Sequence, residues 1–124
     1  MFVTPLPNKV FDIEGVSPIN NYVRSNGATL VLLNVPVGQE AFITSLYCVF
    51  TNLVGTGSGG YIFFYSDAGI TEITRIPVQA GTGAIDNFSL SPSMPIFVPS
   101  GGRISVQSAN PAMYIDVTIF GYIM

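Results

Sequence analysis

Few side chains in this sequence are capable of acid–base, nucleophilic or ligating chemistry, and none of them is a histidine. Without imidazole there is no Ser-His or Cys-His pair to activate a nucleophile and no nitrogen ligand for a metal. The carboxylates offer two close pairs, Asp12 with Glu14 and Asp67 with Glu72. Asp12 and Glu14, two apart, share a face only on a strand. They sit in a proline-punctuated segment, where acids are ordinarily solvated or salt-bridged. Asp67 falls in Ser66-Asp67-Ala68-Gly69, a tight hairpin candidate in which an Asx-turn uses the carboxylate to support the backbone. Neither pair resembles the oxygen ligands of an EF-hand loop. Cys48, the single cysteine, lies inside an apolar run and reads as a buried small hydrophobe. The glycine runs Gly55–Gly60 and Ala80–Ala84 precede no helix signal, and no lysine follows them, so they are not phosphate cradles. The expectation is no enzyme activity, no catalytic or metal site and no cofactor.

What remains is a neutral, apolar chain. Four Lys/Arg and seven Asp/Glu make up 9% of its 124 residues, where a soluble domain devotes about a quarter. Ser, Thr, Asn, Gly and a good deal of bare apolar side chain must cover the surface, and such patches commonly mark contacts with another protein. The net charge is −3, and Lys9, Arg24, Arg75 and Arg103 are scattered; nucleic acid is not an expected partner, because phosphate binding needs clustered positive charge. A membrane is not expected either. The longest uncharged stretch, Ala41–Ser66, is broken by Thr44, Ser45, Thr51, Asn52 and the glycine run, well short of the about 20 apolar residues a spanning helix needs. The start, Met-Phe-Val-Thr-Pro, lacks the basic and apolar regions of a signal peptide. A mass of 13.2 kDa fits one domain with a self-sufficient core.

Residues 1–27 read as an extended N-terminal arm. Pro5, Pro7 and Pro18 punctuate it, and its apolar residues (Phe2, Val3, Leu6, Val10, Phe11, Ile13, Val16) are too irregular for a helix and too frequent for a disordered tail. One short strand is expected around Asn21–Arg24. At roughly 3.3 Å per residue the arm spans up to about 90 Å, so it either reaches a neighbouring subunit or folds back along its own domain. Residues 28–124 form the domain proper, a succession of strand signals: Thr29–Val35, Ala41–Leu53, Tyr61–Ser66, Ile70–Val78, Ile85–Ser91, Pro95–Val98, Arg103–Ser108 and Met113–Ile123. Ala80-Gly81-Thr82-Gly83 reads as a loop, and Asn110-Pro111 as a turn start. Val35-Pro36-Val37-Gly38 and Val98-Pro99-Ser100-Gly101 repeat one corner pattern, with proline at i+1 and glycine at i+3 of a type I turn, and predict two similarly built strand pairs. About eight short strands and no sustained helical period make the chain all-β, a sandwich or barrel of antiparallel strands.

Alternation assigns the faces. Along the last strand Met113, Ile115, Val117, Ile119, Gly121 and Ile123 face the core. The opposite face carries Tyr114, Asp116, Thr118, Phe120 and Tyr122, three of them aromatic, a composition enriched at protein interfaces. Along Arg103–Ser108, Ile104 and Val106 point inward, and Arg103, Ser105 and Gln107 outward. Residues 41–53 are apolar on both faces, with Phe42, Leu46, Cys48 and Phe50 on one side and Ala41, Ile43, Tyr47, Val49 and Leu53 on the other. Tyr61-Ile62-Phe63-Phe64-Tyr65 is bulky throughout. Two doubly apolar strands need a second cover, either the arm or another subunit, and a homo-oligomer is the expectation.

The run Val31-Leu32-Leu33-Asn34-Val35-Pro36-Val37-Gly38-Gln39-Glu40-Ala41-Phe42-Ile43-Thr44-Ser45-Leu46-Tyr47 resembles a recurring segment of tailed-bacteriophage virion proteins, where a strand, a Val-Pro-x-Gly corner and a Thr-Ser-aliphatic-Tyr strand follow in order. Residues 94–108, followed by Tyr114–Met124, match the closing strands of that family in style. The resemblance covers roughly residues 29–124, and its motifs are structural; the glycine-rich 55–60 stretch departs from it. By this resemblance the chain is similar to small jelly-roll capsid decoration (cement) proteins. It implies a jelly-roll-like β-sandwich, a homotrimer on the outer surface of the virion capsid, and a major capsid protein as partner. It also implies a capsid-anchoring role for Phe2, Val3, Leu6, Val10 and Phe11 of the arm, and a subunit interface at Tyr114, Phe120 and Tyr122. The alternative is a tail-fibre or spike tip domain recognising host-surface glycans; a weaker third is a head–tail connector or minor structural subunit.

Overall fold

Period-two alternation, with turn residues between the runs, becomes nine strands among the residues described by the computed structural model, which are 15–53, 58–81, 83 and 85–124. In chain order they are β1 (Ser17–Ser25), β2 (Thr29–Asn34), β3 (Ala41–Asn52), β4 (Ser58–Tyr65), β5 (Glu72–Ala80), β6 (Ile85–Leu90), β7 (Ile96–Val98), β8 (Arg103–Ser108) and β9 (Met113–Ile123). The first sheet runs β1-β9-β3-β6, and the second runs β2-β8-β4-β5. β7 pairs with Ala41–Ile43 of β3 while β6 pairs with Leu46–Thr51, so the two share one edge of β3 end to end. Four antiparallel pairs nest inside one another: β1 with β9, β2 with β8, β3 with β6, and β4 with β5. The chain is thus one long hairpin, folded back at the β4–β5 turn and wrapped across both sheets. That is the jelly-roll winding.

Between the sheets lies the core, built from Ile43, Leu46, Cys48 and Phe50 of β3, Ile62 and Phe64 of β4, Ile104 and Val106 of β8, and Met113, Ile115, Val117 and Ile119 of β9. Each such side chain removed from water contributes about 1.5–3 kcal/mol. β9 follows the expected alternation from Met113 to Ile119 without a break, and that regularity places Tyr114, Asp116, Thr118, Phe120 and Tyr122 on the outer face.

Several expectations need correction. Ser17–Ser25, inside the segment read as an arm, is a nine-residue strand paired with β9 along its whole length; the short strand expected at Asn21–Arg24 is its second half. Residues 1–14, with Asp12, Glu14 and the arm positions Phe2, Val3, Leu6, Val10 and Phe11, lie outside the described residues. β4 begins at Ser58, so Ser58-Gly59-Gly60 is strand and not loop. Ser105 is buried: its short side chain stands in register between Val31 and Phe63. On β3 a register shift against β9 between Ile43 and Ser45 exchanges the faces, since one extra residue reverses every side chain beyond it. Ala41 and Ile43 therefore join Leu46, Cys48 and Phe50 inside, and Phe42 joins Tyr47 and Val49 outside.

The two Val-Pro-x-Gly corners are real but differ in frame and role. Gln39 N–H donates to Pro36 O at 3.1 Å, and Gly102 N–H to Pro99 O at 2.9 Å. Proline is therefore at position i, and glycine at i+2 with positive φ (Gly38 89°, Gly101 75°), as in type II turns. The first corner carries the chain from the second sheet to the first, and the second carries it back. They sit side by side, joined by Gly38 N–H to Ser100 Oγ at 2.7 Å and Val35 N–H to Gly102 O at 2.9 Å. Rather than marking two equivalent halves, they are the paired corners at which the two arms of the nested hairpin cross between sheets.

Candidate assembly interface

The outer face of the first sheet presents a graded surface, apolar at one end and polar at the other. Strand register dictates the gradient. Phe42 on β3 stands opposite Tyr122 of β9 on one side and Phe97 of β7 on the other. Its ring lies 5.1 Å from Tyr122, nearly parallel at 19°, and 5.5 Å from Phe97, tilted by 52°. The three rings make a row across three strands. Phe120 stands opposite Asn20 and Ser45, small or polar neighbours that leave it 42% exposed. Phe97 and Tyr47 are 44% and 45% exposed.

Toward the other end, Asp116 gathers the polar groups. Arg24 donates to it through Nε at 2.7 Å and Nη2 at 3.2 Å, and Tyr22 Oη donates at 2.5 Å. Arg24 stands opposite Asp116 across β1 and β9, and Tyr22, opposite Thr118, reaches the carboxylate diagonally. Burial pushes the Asp116 carboxyl upward, but the hydrogen bonds from Arg24 and Tyr22, with the Arg24 charge, outweigh it and hold the group below its ordinary value. The Tyr22 hydroxyl is raised, chiefly because its hydrogen bond to Asp116 favours the protonated form. The Arg24 guanidinium also lies 5.1 Å from the centre of the Tyr114 ring, an ordinary cation–π distance.

The three proposed interface residues, Tyr114, Phe120 and Tyr122, do share this face, but they are not equivalent. Tyr122 is in the ring row, Tyr114 lies under Arg24, and Phe120 projects. Sequence reasoning missed Phe42, Phe97 and Tyr22 as members of the same surface. Phe42 was hidden by the bulge, and Tyr22 by the proline-rich context of β1. Phe97 carried an alternation signal too short to read.

Elsewhere the titratable groups serve structure. Asp67 Oδ1 accepts from the backbone N–H of Ile70 and Thr71, both at 2.8 Å. These bonds lower its pKa, and the carboxylate supports the turn backbone as expected, through N–H groups three and four residues on where an Asx-turn uses the second. Glu72 holds Arg75 through two bonds of 2.7 and 2.6 Å, so Asp67 and Glu72 are not a working pair. Asn110 closes the β8–β9 turn, its Oδ1 accepting from Ala112 N–H and its O from Met113 N–H, each at 2.9 Å. Cys48 is buried, and loss of solvation, with the Asp116 charge nearby, pushes its thiol up to about 12. Among the described residues no cluster of His, Cys, Asp and Glu is placed to hold a metal ion, and no helix is long and apolar enough to cross a membrane.

No protein-family model matches the chain, and no curated protein matches it in sequence. Solved structures of similar overall shape include a chain of the cyanophage Pam1 capsid asymmetric unit, 17% identical, with a TM-score of 0.47 over 86% of this chain and 84% of that one. Another comes from Bacillus endospore appendages, described as a family of disulfide-linked pili, at 13% identity and a TM-score of 0.45 over 87% and 84%. A third, from the T13 particle of the virus abbreviated IBDV, is 12% identical with a TM-score of 0.42, covering 88% of this chain but 30% of that one. Likeness at this level is likeness of sandwich shape, and the functional reading rests on the residues themselves.

Proposed function

We propose that this chain is a virion structural protein of a bacteriophage, a decoration protein that binds the outer capsid surface as a homotrimer and bridges major capsid protein subunits. One observation carries the reading: a charge-poor domain leaves Phe97, Phe120 and Tyr47 about half-exposed, with the partly buried Phe42 and Tyr122 beside them, on one continuous sheet face. Apolar surface of that kind is stabilised by burial against another protein. The polar end gives the face direction, because the Arg24–Asp116 pair and the Tyr22 hydroxyl favour a partner that meets them with hydrogen bonds. Tyr114, Phe120 and Tyr122 are the proposed trimer contacts, and Phe2, Val3, Leu6, Val10 and Phe11 the proposed capsid anchors. A protein that binds only the assembled lattice stabilises it by mass action, and three linked copies add avidity through effective concentration.

The test is co-sedimentation of purified protein with empty expanded capsids built from the accompanying major capsid protein, with host cells in parallel. The expected result is saturable capsid binding by a trimer, weakened at least tenfold on deletion of residues 1–15. Binding to cells with none to capsids would reverse the assignment in favour of a receptor-recognition domain.

A further inference from the structure

The outer face of the second sheet ends in a cleft that the assembly reading does not use. Gly59 and Gly60 of β4 form its floor, and Tyr61, Pro77, Gln79 and Gln107 stand around it. Its volume is about 430 Å³, inside the range of small-molecule sites. Register explains the gap. Gly59 pairs with Gln79 on one side, and on the other its carbonyl accepts from Ala109 N–H at 2.7 Å, so the middle position of that row has no side chain. Nor does the fold allow one: a Cβ on Gly59 would run into the Val78 carbonyl oxygen, and one on Gly60 into that of Gln107. The next row sets Tyr61 between Pro77 and Gln107.

The chemistry of the lining selects a ligand class. Among the described residues no charged side chain lines the cleft, so an ionic ligand would find no counter-charge from them. Gln79 and Gln107 each present a carbonyl acceptor and two N–H donors, and among the described residues neither carboxamide is engaged in a hydrogen bond. An apolar ligand would leave those groups desolvated and unpaired. Tyr61 adds a partly exposed ring and a hydroxyl. Arg75 lies 4.9 Å from the centre of that ring, but Glu72 already matches its charge. A ring beside two carboxamides is complementary to a ligand with an apolar C–H face and a rim of hydroxyls. We infer that this cleft binds a neutral carbohydrate. The inference is independent of the capsid reading, and either can fail alone.

Saturation-transfer NMR on the full chain tests it, with methyl β-galactoside, methyl α-glucoside and N-acetylglucosamine as neutral probes and N-acetylneuraminic acid as the charged one. Transfer to at least one neutral sugar is expected, with none to the charged probe. The double variant Gln79→Ala/Gln107→Ala should reduce that transfer at least tenfold at an unchanged unfolding midpoint. Ala109→Trp, which fills the cleft from its solvent side, should abolish it. No transfer to any neutral probe, or transfer surviving in a folded variant of either kind, overturns the inference.

Discussion

Both sheets turn aromatic side chains outward, and each holds one arginine over a ring by a bidentate bond to a carboxylate, but the two arginines cover different things. On the second sheet Tyr61, Phe63 and Tyr65 form a ladder along β4, with neighbouring rings 5.5 and 5.8 Å apart. Arg75, opposite Phe63 on β5, lies 4.9 and 5.1 Å from the centres of the Tyr61 and Phe63 rings, and Phe63 is only 8% exposed. On the first sheet the corresponding Arg24 is anchored by Asp116 at the far end and lies over Tyr114 alone. The Phe42 row has no such lid. One long cationic side chain in the facing position covers the ring opposite it, Phe63, while Tyr61 beside it stays 39% exposed; placed a few residues away, as Arg24 is, it leaves Phe97 and Phe120 open for a partner.

The contrast breaks most sharply across a single strand. Ile119 and Phe120 are neighbours on β9, one fully buried and one half-exposed. Ile119→Ala is expected to cost about 2–5 kcal/mol in urea unfolding. Phe120→Ser should cost about 1 kcal/mol or less in the monomer, while raising the self-association constant Kd at least tenfold in sedimentation velocity. Equal losses of stability would mean that Phe120 is packed as core and that the open face is an illusion of exposure.

The lids themselves are the next test. Arg75→Ala should uncover Phe63 and raise the fluorescence of the dye ANS clearly above the parent protein. Arg24→Ala should raise it less, because Arg24 lies over Tyr114 and not over the Phe42 row. The reverse order would show that the two faces had been assigned the wrong way round.

The smallest effect is on acid stability. The carboxyls of Asp116, Asp67 and Glu72 all lie below their ordinary values in the fold. Their stabilisation is therefore fully present above the unfolded pKa values of about 4 and is lost as pH falls through the lower folded values. With no histidine to titrate, the urea midpoint should be flat from about pH 5 to 8, then fall in acid. Asp116→Asn should reduce that acid slope without abolishing it; an unchanged slope would remove the Arg24–Tyr22 cluster from the ledger of stabilising contacts.

β9 shows how much was legible in the chain itself. Its burial alternates from Met113 through Gly121, and hydrophobic burial acts on that period directly, so strand limits, buried face and outer aromatic set were all readable in advance. The limits of β8 were placed to the residue from the same alternation in sequence, although Ser105 is buried, and Asp67 and Asn110 announced their turns because a short polar side chain readily bonds the backbone just beyond it. β3 was not readable in this way. Its twelve residues hold apolar groups on both faces, and the bulge at Ile43–Ser45 comes from pairing with β9, about seventy residues further along, which local pattern does not encode. β1 was undervalued because Pro18, read locally with Pro5 and Pro7 before it, argues against a strand, while the place of β1 at the sheet edge makes Pro18 harmless. Composition decided that the molecule lacks histidine chemistry and is poor in charge, and strand alternation with its turn residues decided that it is all-β. Which aromatic rings are covered and which are exposed, and where the glycine-floored cleft lies, only the tertiary structure could decide, because each depends on what stands opposite in a neighbouring strand.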